Sequence, residues 1–372
     1  MRQKILLFVS FLLTLPVLYG RSIELVFAGD AMQHERQLNA ARQKDGTYDY
    51  SPYYKALYPY IQSADYAVVN LETPLGGAPY SGYPMFCSPD SYLDALRRAG
   101  FDLMLTANNH ILDRRDKGLR RTVKTIESRG LPWVGAYADA AQRDSIMPRI
   151  VDIGGYRVAF LNYTYGTNGI EIQGDVVVDY IDRDQMAADV AEAREKGAEI
   201  IVAAVHWGEE YQLLSNRWQR SLADYLTDLG VDLIIGGHPH VIQPMEIRHS
   251  EKHDKDVFLC YSLGNFVSAM RTDDTRGGAL ARVVIDRDEK GKAVVKSAGY
   301  RLVYVLPPDG QSTSYRVIPE EDDTMIPASM ADKRRRFETN ARRIFDKHNV
   351  SVPLDTLTMR DYLSRMILKQ MP

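Results

Sequence analysis

Short apolar runs recur along the chain, each closed by polar or turn-forming residues. Seven of them, Ile23–Ala28, Tyr66–Val69, Leu103–Leu105, Arg157–Leu161, Ile200–Val205, Leu233–Ile235 and Val257–Tyr261, have the length and character of buried strands. Between them, apolar positions recur with helical period over Ser91–Ala99, Gly118–Arg129, Asp184–Lys196 and Asn216–Leu229. Strands alternating with helices predict a layered α/β fold. Leu280–Asp286 and Val294–Val305 read as a later antiparallel pair. From residue 319 the pattern turns polar and helical, which predicts a core domain over 21–318 and a helical C-terminal extension over 319–372 packed on it. The basic cluster Lys333–Arg336 is interspersed with acidic residues and reads as a solvated helix face.

The N-terminal twenty residues are a different kind of segment. Arg2 and Lys4 precede an apolar stretch from Ile5 to Leu18, the arrangement of a secretory signal peptide over residues 1–20. An uncleaved membrane anchor is the alternative. Either places the protein outside the cytoplasm, in the periplasm or cell envelope. The formal charge is −3, and removal of Arg2 and Lys4 makes it 44 − 49 = −5. That balance lacks the basic excess of a nucleic-acid binder, so no nucleic-acid partner is expected. The only cysteines, Cys87 and Cys260, are too few for a disulfide framework or a thiolate metal site. They could pair in an oxidising compartment, although Cys260 lies in an apolar run that favours a buried free thiol.

The strand ends carry the chemistry. In order they read Gly29-Asp30 with His34 nearby, Asn70-Leu71-Glu72, Asn108-Asn109-His110, His206-Trp207-Gly208 and Gly236-Gly237-His238-Pro239-His240. Five of the eight histidines fall in these segments, and His249, His253 and His348 do not. Carboxyl ends of strands in an α/β sheet are where ligand sites form. Each motif alone has an ordinary reading as a turn, a helix cap or a core histidine. Together they predict a site for two divalent metal ions, with Asp30, Glu72, Asn109, His206, His238 and His240 as ligands. A mixed nitrogen and oxygen donor set suits Mn, Fe or Zn rather than Ca. The His-Pro-His spacing is expected to work by placing alternate residues of an extended segment on one side.

The ordered set Gly-Asp, Asn-Leu-Glu, Ala-Asn-Asn-His-x-x-Asp, His-Trp-Gly, Gly-His-Pro-His-Val and Ser-Leu-Gly-Asn-Phe resembles the capsule-synthesis CapA family over about residues 24–285. That family is associated with poly-γ-glutamate and belongs to the calcineurin-like metallophosphoesterase superfamily. The resemblance implies a four-layer α/β/β/α sandwich of the metallophosphoesterase type. It also implies that His110 protonates the leaving group, that Asp113 orients His110, and that His34 is a further metal ligand. Three positions depart from the pattern: His34 follows Asp30 by four residues rather than two, Glu72 stands where the superfamily has Asp, and Arg115 replaces a common Gly. For a polyanionic substrate, Arg271, Arg276, Asn168, Tyr165 and Asn265 are candidate binding residues.

Three functions follow from the resemblance. The first is an exported metal-dependent hydrolase or transferase acting on poly-γ-glutamate or another anionic envelope polymer, by metal-activated water with His110 as general acid. Its expected partners are that anionic polymer or peptide and a capsule-synthesis membrane complex. The second is a metallophosphoesterase acting on a small organic phosphate. The third is a non-catalytic polymer-binding or export component.

Overall fold

The structure is a computed structural model that describes residues 21–309 and 312–370, so the expected signal segment lies outside the described residues. Two sheets stack face to face. The larger has the strand order Arg316–Pro319, Ala293–Leu306, Gly277–Arg287, Ile23–Ala31, Tyr66–Leu71, Leu103–Leu105, Trp133–Val134, with Asn265–Val267 added beside the end of Ile23–Ala31. The second runs Ile242–Ser250, Lys255–Leu263, Leu233–Gly237, Ile200–His206, Tyr156–Thr164, Arg149–Ile153. Ile23–Ala31, Tyr66–Leu71 and Leu103–Leu105 run parallel in the larger sheet, with Gly277–Arg287 antiparallel on the other side of Ile23–Ala31. Tyr156–Thr164, Ile200–His206, Leu233–Gly237 and Lys255–Leu263 run parallel in the second; burial on both faces accounts for their unbroken apolar sequences.

The inter-sheet core joins Ile23, Leu25 and Phe27 to Val158, Phe160 and Leu259. The rings of Tyr66 and Phe160 stack across it at 5.3 Å. Helices Asp90–Ala99 and Arg115–Ser128 lay Leu93, Leu96, Leu119 and Val123 on the opposite face of the larger sheet. Helices Arg183–Glu195 and Arg217–Leu229 cover the second sheet with Met186, Val190, Leu222 and Leu226. The result is the expected four-layer α/β/β/α sandwich. The latter two helices start on side-chain caps: Asp182 accepts from the Gln185 N–H, and Asn216 closes a reciprocal pair with Gln219.

Predicted strands and helices mostly lengthen by one to three residues. Ile242–Ser250 escaped the pattern because it is an edge strand with a polar outer side and Pro244 in its course. Two helices follow residue 319, Ala328–His348 and Met359–Gln370. The first seats Phe337 against Tyr304 and Phe345 against Tyr300. The solvated-face reading of Lys333–Arg336 is corrected at Arg334, which is buried and ion-paired with Asp323 and Glu338. Arg336 pairs with Asp273 at 2.7 Å, and Asn340 donates to Asp274 at 2.7 Å, which fastens this helix to the loop after Asn265–Val267. Cys87 and Cys260 are both buried free thiols. Among the described residues no helix is long and apolar enough to cross a membrane.

Phe160 is almost wholly buried between the sheets. Phe160→Ala is expected to lower unfolding stability by about 3–5 kcal/mol through lost burial and a residual cavity, read by urea denaturation.

Candidate metal centre

Parallel register brings the predicted residues level. Asp30 sits beside Asn70 in the larger sheet, and His206 pairs with both Gly237 and Thr164 in the second. The carboxyl edges of the two sheets thus face each other, with Asp30 and Glu72 from one and His206, His238 and His240 from the other. Two groups of side chains have ligand atoms all within 4.8 Å of one another: Asp30, Glu72 and His206, and Glu72, His238 and His240. Glu72 belongs to both. Asn109 Oδ1 joins them, 3.0 Å from His206 Nε2.

All five carboxylate and imidazole groups are buried, and their electrostatics are interdependent. Burial pushes the Asp30 carboxyl up, but the hydrogen bond and charge of His240, the charge of His206 and the Asn70 amide outweigh it. Asp30 is held well below the usual carboxylate range. Burial and then the Asp30 charge push the Glu72 carboxyl well above its ordinary value. Burial brings His206 down to about 3 and His238 down to about 2, so both are neutral, the form that ligates metal. His240 opposes burial through Glu72 and Asp30 and is raised to about 9.

The donor set fits divalent ions on a direct observation. Among the described residues Glu72 Oε1 and His238 Nδ1 are buried without a hydrogen-bond partner, a costly arrangement unless a cation takes the lone pairs. Glu72 Oε1 lies 3.5 Å from His206 Nε2 and 3.9 Å from His240 Nε2, placing an unsatisfied oxygen among imidazoles.

The expected extended His-Pro-His geometry is overturned. His238 has φ +97° and His240 φ +58°, both left-handed, so the two rings converge through two backbone reversals rather than strand alternation. Their ring centres stand 6.0 Å apart. Strained backbone of this kind persists where surrounding structure over-determines it. Here the His238 N–H donates to Asp30 Oδ2 at 3.2 Å, and His240 Nδ1 meets the same oxygen at 3.2 Å. Gly237 completes the cradle: a Cβ there would lie 2.8 Å from Asp30 Oδ1.

His110 stands beside this centre with Nδ1 2.8 Å from Asp113 Oδ2, and that oxygen also accepts the Phe86 N–H at 2.7 Å. Because the carboxylate only accepts, Nδ1 carries the hydrogen and the ring is fixed in orientation. Phe86 presents its ring to both His110 and His34, at 4.6 and 5.2 Å. His34 falls outside both ligand groups. It serves as the N-cap residue of helix Glu35–Ala41, with Nδ1 3.3 Å from the Ala269 N–H, and lines an open groove of about 450 Å³ over the centre.

Arg271 also lines that groove, together with His110 and His240. Tyr165 packs over His238 at 4.5 Å, and Asn168 accepts from Asn109 at 3.2 Å while its amide nitrogen lies 3.5 Å from His110 Nδ1. Two predicted binding residues are placed elsewhere. Asn265 is buried and donates to the Thr275 carbonyl at 3.0 Å, and the half-buried Arg276 lies beside Tyr304. Sequence reasoning missed the asparagines behind the ligands. Asn70 donates to Asp30 at 2.9 Å and reaches Glu72 at 3.4 Å, and Asn108 donates to Asn70 at 3.1 Å. Asn162 crosses from the second sheet to accept the Thr106 and Ala107 N–H groups at 3.0 and 2.7 Å. The one available signal was Asn70 two residues before Glu72, on the same side of a strand.

A family model described as bacterial capsule synthesis protein PGA_cap matches residues 24–270. The chain belongs to that family. It is 28% identical over 274 residues to the "Capsule biosynthesis protein CapA" of Bacillus anthracis, covering 71% of this chain and 64% of the relative, so the match spans just under two thirds of that relative's length. It is likewise 28% identical over 280 residues to the "PGA biosynthesis protein CapA" of Bacillus subtilis, covering 72% of this chain and 68% of that one. Among solved structures, the NAD nucleotidase of Haemophilus influenzae aligns with a TM-score of 0.48 at 12% identity, over 94% of this chain and 60% of that one.

Gly237→Ala should cost about 1–3 kcal/mol by pressing a methyl against Asp30. Gly166, whose Cβ position is open and whose backbone is ordinary, is the control: Gly166→Ala should leave stability unchanged or raise it by up to about 1 kcal/mol. Paired thermal and urea unfolding curves distinguish the two sites.

Proposed function

We propose that the protein is an exported, metal-dependent hydrolase or transferase of capsule assembly that acts on poly-γ-glutamate or another anionic envelope polymer. The observation that carries this reading is the sharing of Glu72 by two ligand groups, one of which includes His240, a residue that lines a groove together with His110 and Arg271. Asp30, Glu72, Asn109, His206, His238 and His240 are the residues that would hold two divalent ions, of Mn, Fe or Zn. Such ions, when bound, supply Lewis acidity and the activation of water at neutral pH.

The chain's own residues do the rest. Asp113 fixes the His110 ring through Nδ1, and His110 delivers a proton to the departing nitrogen or oxygen. Tyr165 shields His238 from bulk water, and Asn168 holds the Asn109 amide by accepting its N–H. Arg271 neutralises a substrate carboxylate by charge-assisted hydrogen bonding. Asn265 and Arg276 support the loop that carries Arg271. The N-terminal segment directs the chain to the envelope, where a capsule-synthesis membrane complex is its expected partner.

Metal analysis of the purified protein is expected to find two divalent ions per chain. His206→Ala and His238→Ala should each lose one, whereas Glu72→Gln should lose both. Absence of stoichiometric metal, with no effect of His238→Ala on activity, would sink the reading. His110→Ala should keep its metal yet slow turnover by about 10²–10⁴-fold. Activity on γ-glutamyl oligomers and aryl phosphates, compared side by side, separates polymer cleavage from small-phosphate hydrolysis. Turnover of aryl phosphates alone would favour the phosphoesterase.

A further inference from the structure

We propose that Tyr83 and Tyr211 form an aromatic clamp across the mouth of the groove, gripping the planar amide backbone of a linear carboxylated polyamide and so determining specificity. The inference rests on the functional reading above and assigns to it two residues from separate loops.

Both side chains are unusually bare for their size, Tyr83 at 76% and Tyr211 at 53% exposure, and both line the groove with His110, His240 and Arg271. Neither loop is loose. Tyr83 sits in a turn closed by reciprocal hydrogen bonds between Ser81 and Cys87, at 3.1 and 2.9 Å. Gly82 in that turn lies so close to the chain that a Cβ would meet the Glu35 backbone nitrogen at 2.2 Å. Phe86, four residues on, is locked between His34 and His110. The turn is therefore anchored on the site while Tyr83 is left outside.

Tyr211 is held from the other direction. Its N–H donates to the Pro239 carbonyl at 2.9 Å, within the His-Pro-His segment, and its ring lies 6.4 Å from that of His240. Its φ of +68° is left-handed, a conformation a bulky residue adopts at a cost. A strained backbone that displays a phenol to solvent above the ligands contributes nothing to the core. Burial, then Glu210, then Tyr83 raise the Tyr211 hydroxyl to about 12, so it stays a donor, and the two tyrosines are within electrostatic reach of one another.

Two rigid aromatic faces bind flat, partly apolar groups with little loss of side-chain entropy, and amide planes suit them. The charged groups of the groove narrow the ligand. Arg271 has no ion pair or hydrogen bond among the described residues and is available to a carboxylate. Glu210, exposed in the same groove and hydrogen-bonded by the Tyr211 hydroxyl, has lone pairs left to accept an amide N–H. A polyamide with side-chain carboxylates meets both demands. A phosphodiester backbone offers no N–H to Glu210.

Affinity electrophoresis tests the clamp without relying on turnover. Wild type, Tyr83→Ala with Tyr211→Gly, and Tyr83→Phe with Tyr211→Phe are run through gels containing poly-γ-glutamate, polygalacturonate or polyphosphate. Glycine suits the left-handed position, and the phenylalanine pair keeps both rings. Wild type should be retarded by poly-γ-glutamate most strongly, with at least tenfold weaker retardation in the Ala/Gly pair and a change within twofold in the Phe pair. Equal retardation of the Ala/Gly pair and wild type, stronger retardation by either other polymer, or none of wild type by poly-γ-glutamate overturns the proposal. Retardation without shortening of the polymer leaves the clamp standing and removes the hydrolase reading instead.

Discussion

Two carboxylates buried side by side are the constraint on which the rest depends. Asp30 and Glu72 lie at the carboxyl ends of adjacent strands, fully removed from water, with Asp30 ionised and Glu72 strongly resisting ionisation. Desolvated like charges at this separation are destabilising unless positive charge or hydrogen bonds compensate. The surroundings read as that compensation. Asn70 donates to both carboxylates, Asn108 holds Asn70 in place, and His240 sits between them. The two-sheet architecture exists around this point, because neither sheet alone supplies both the oxygens and the imidazoles.

Much of this was legible in the sequence, for a physical reason. Parallel strands buried on both faces give unbroken apolar runs, so any charged or imidazole side chain directly after such a run is conspicuous. Asp30, Glu72, His206, His238 and His240 all announce themselves in that way. What failed was inference about backbone shape. His-x-His spacing is compatible with a strand, and nothing in Gly236-Gly237-His238-Pro239-His240 declares that both histidines take left-handed φ. Asn70, Asn108 and Asn162 stayed hidden because asparagine is also ordinary turn chemistry. Their roles arise from cross-strand and cross-sheet register, a long-range property. His34, expected as a ligand from its nearness to the first aspartate, lies outside both ligand groups, at a helix N-cap and in the groove wall.

The site is built in tiers of increasing distance from the sheets. The candidate ligands stand on strand ends or immediately after them. His110 stands on a turn held by Asn162 through the preceding backbone and by Asp113 through its ring. Arg271, Tyr83 and Tyr211 stand farther out, on loops. The sheets place the candidate ligands, and the loops around them form the groove.

That division also runs along the chain. The family match stops at residue 270, one position short of Arg271, while the loop carrying that arginine is fastened by Arg336 and Asn340 of the helix Ala328–His348. The matched part of the chain therefore holds the candidate ligands, and the part beyond it holds Arg271 and its brace. Substitutions in that later stretch can reshape the groove wall without touching the residues that would hold metal.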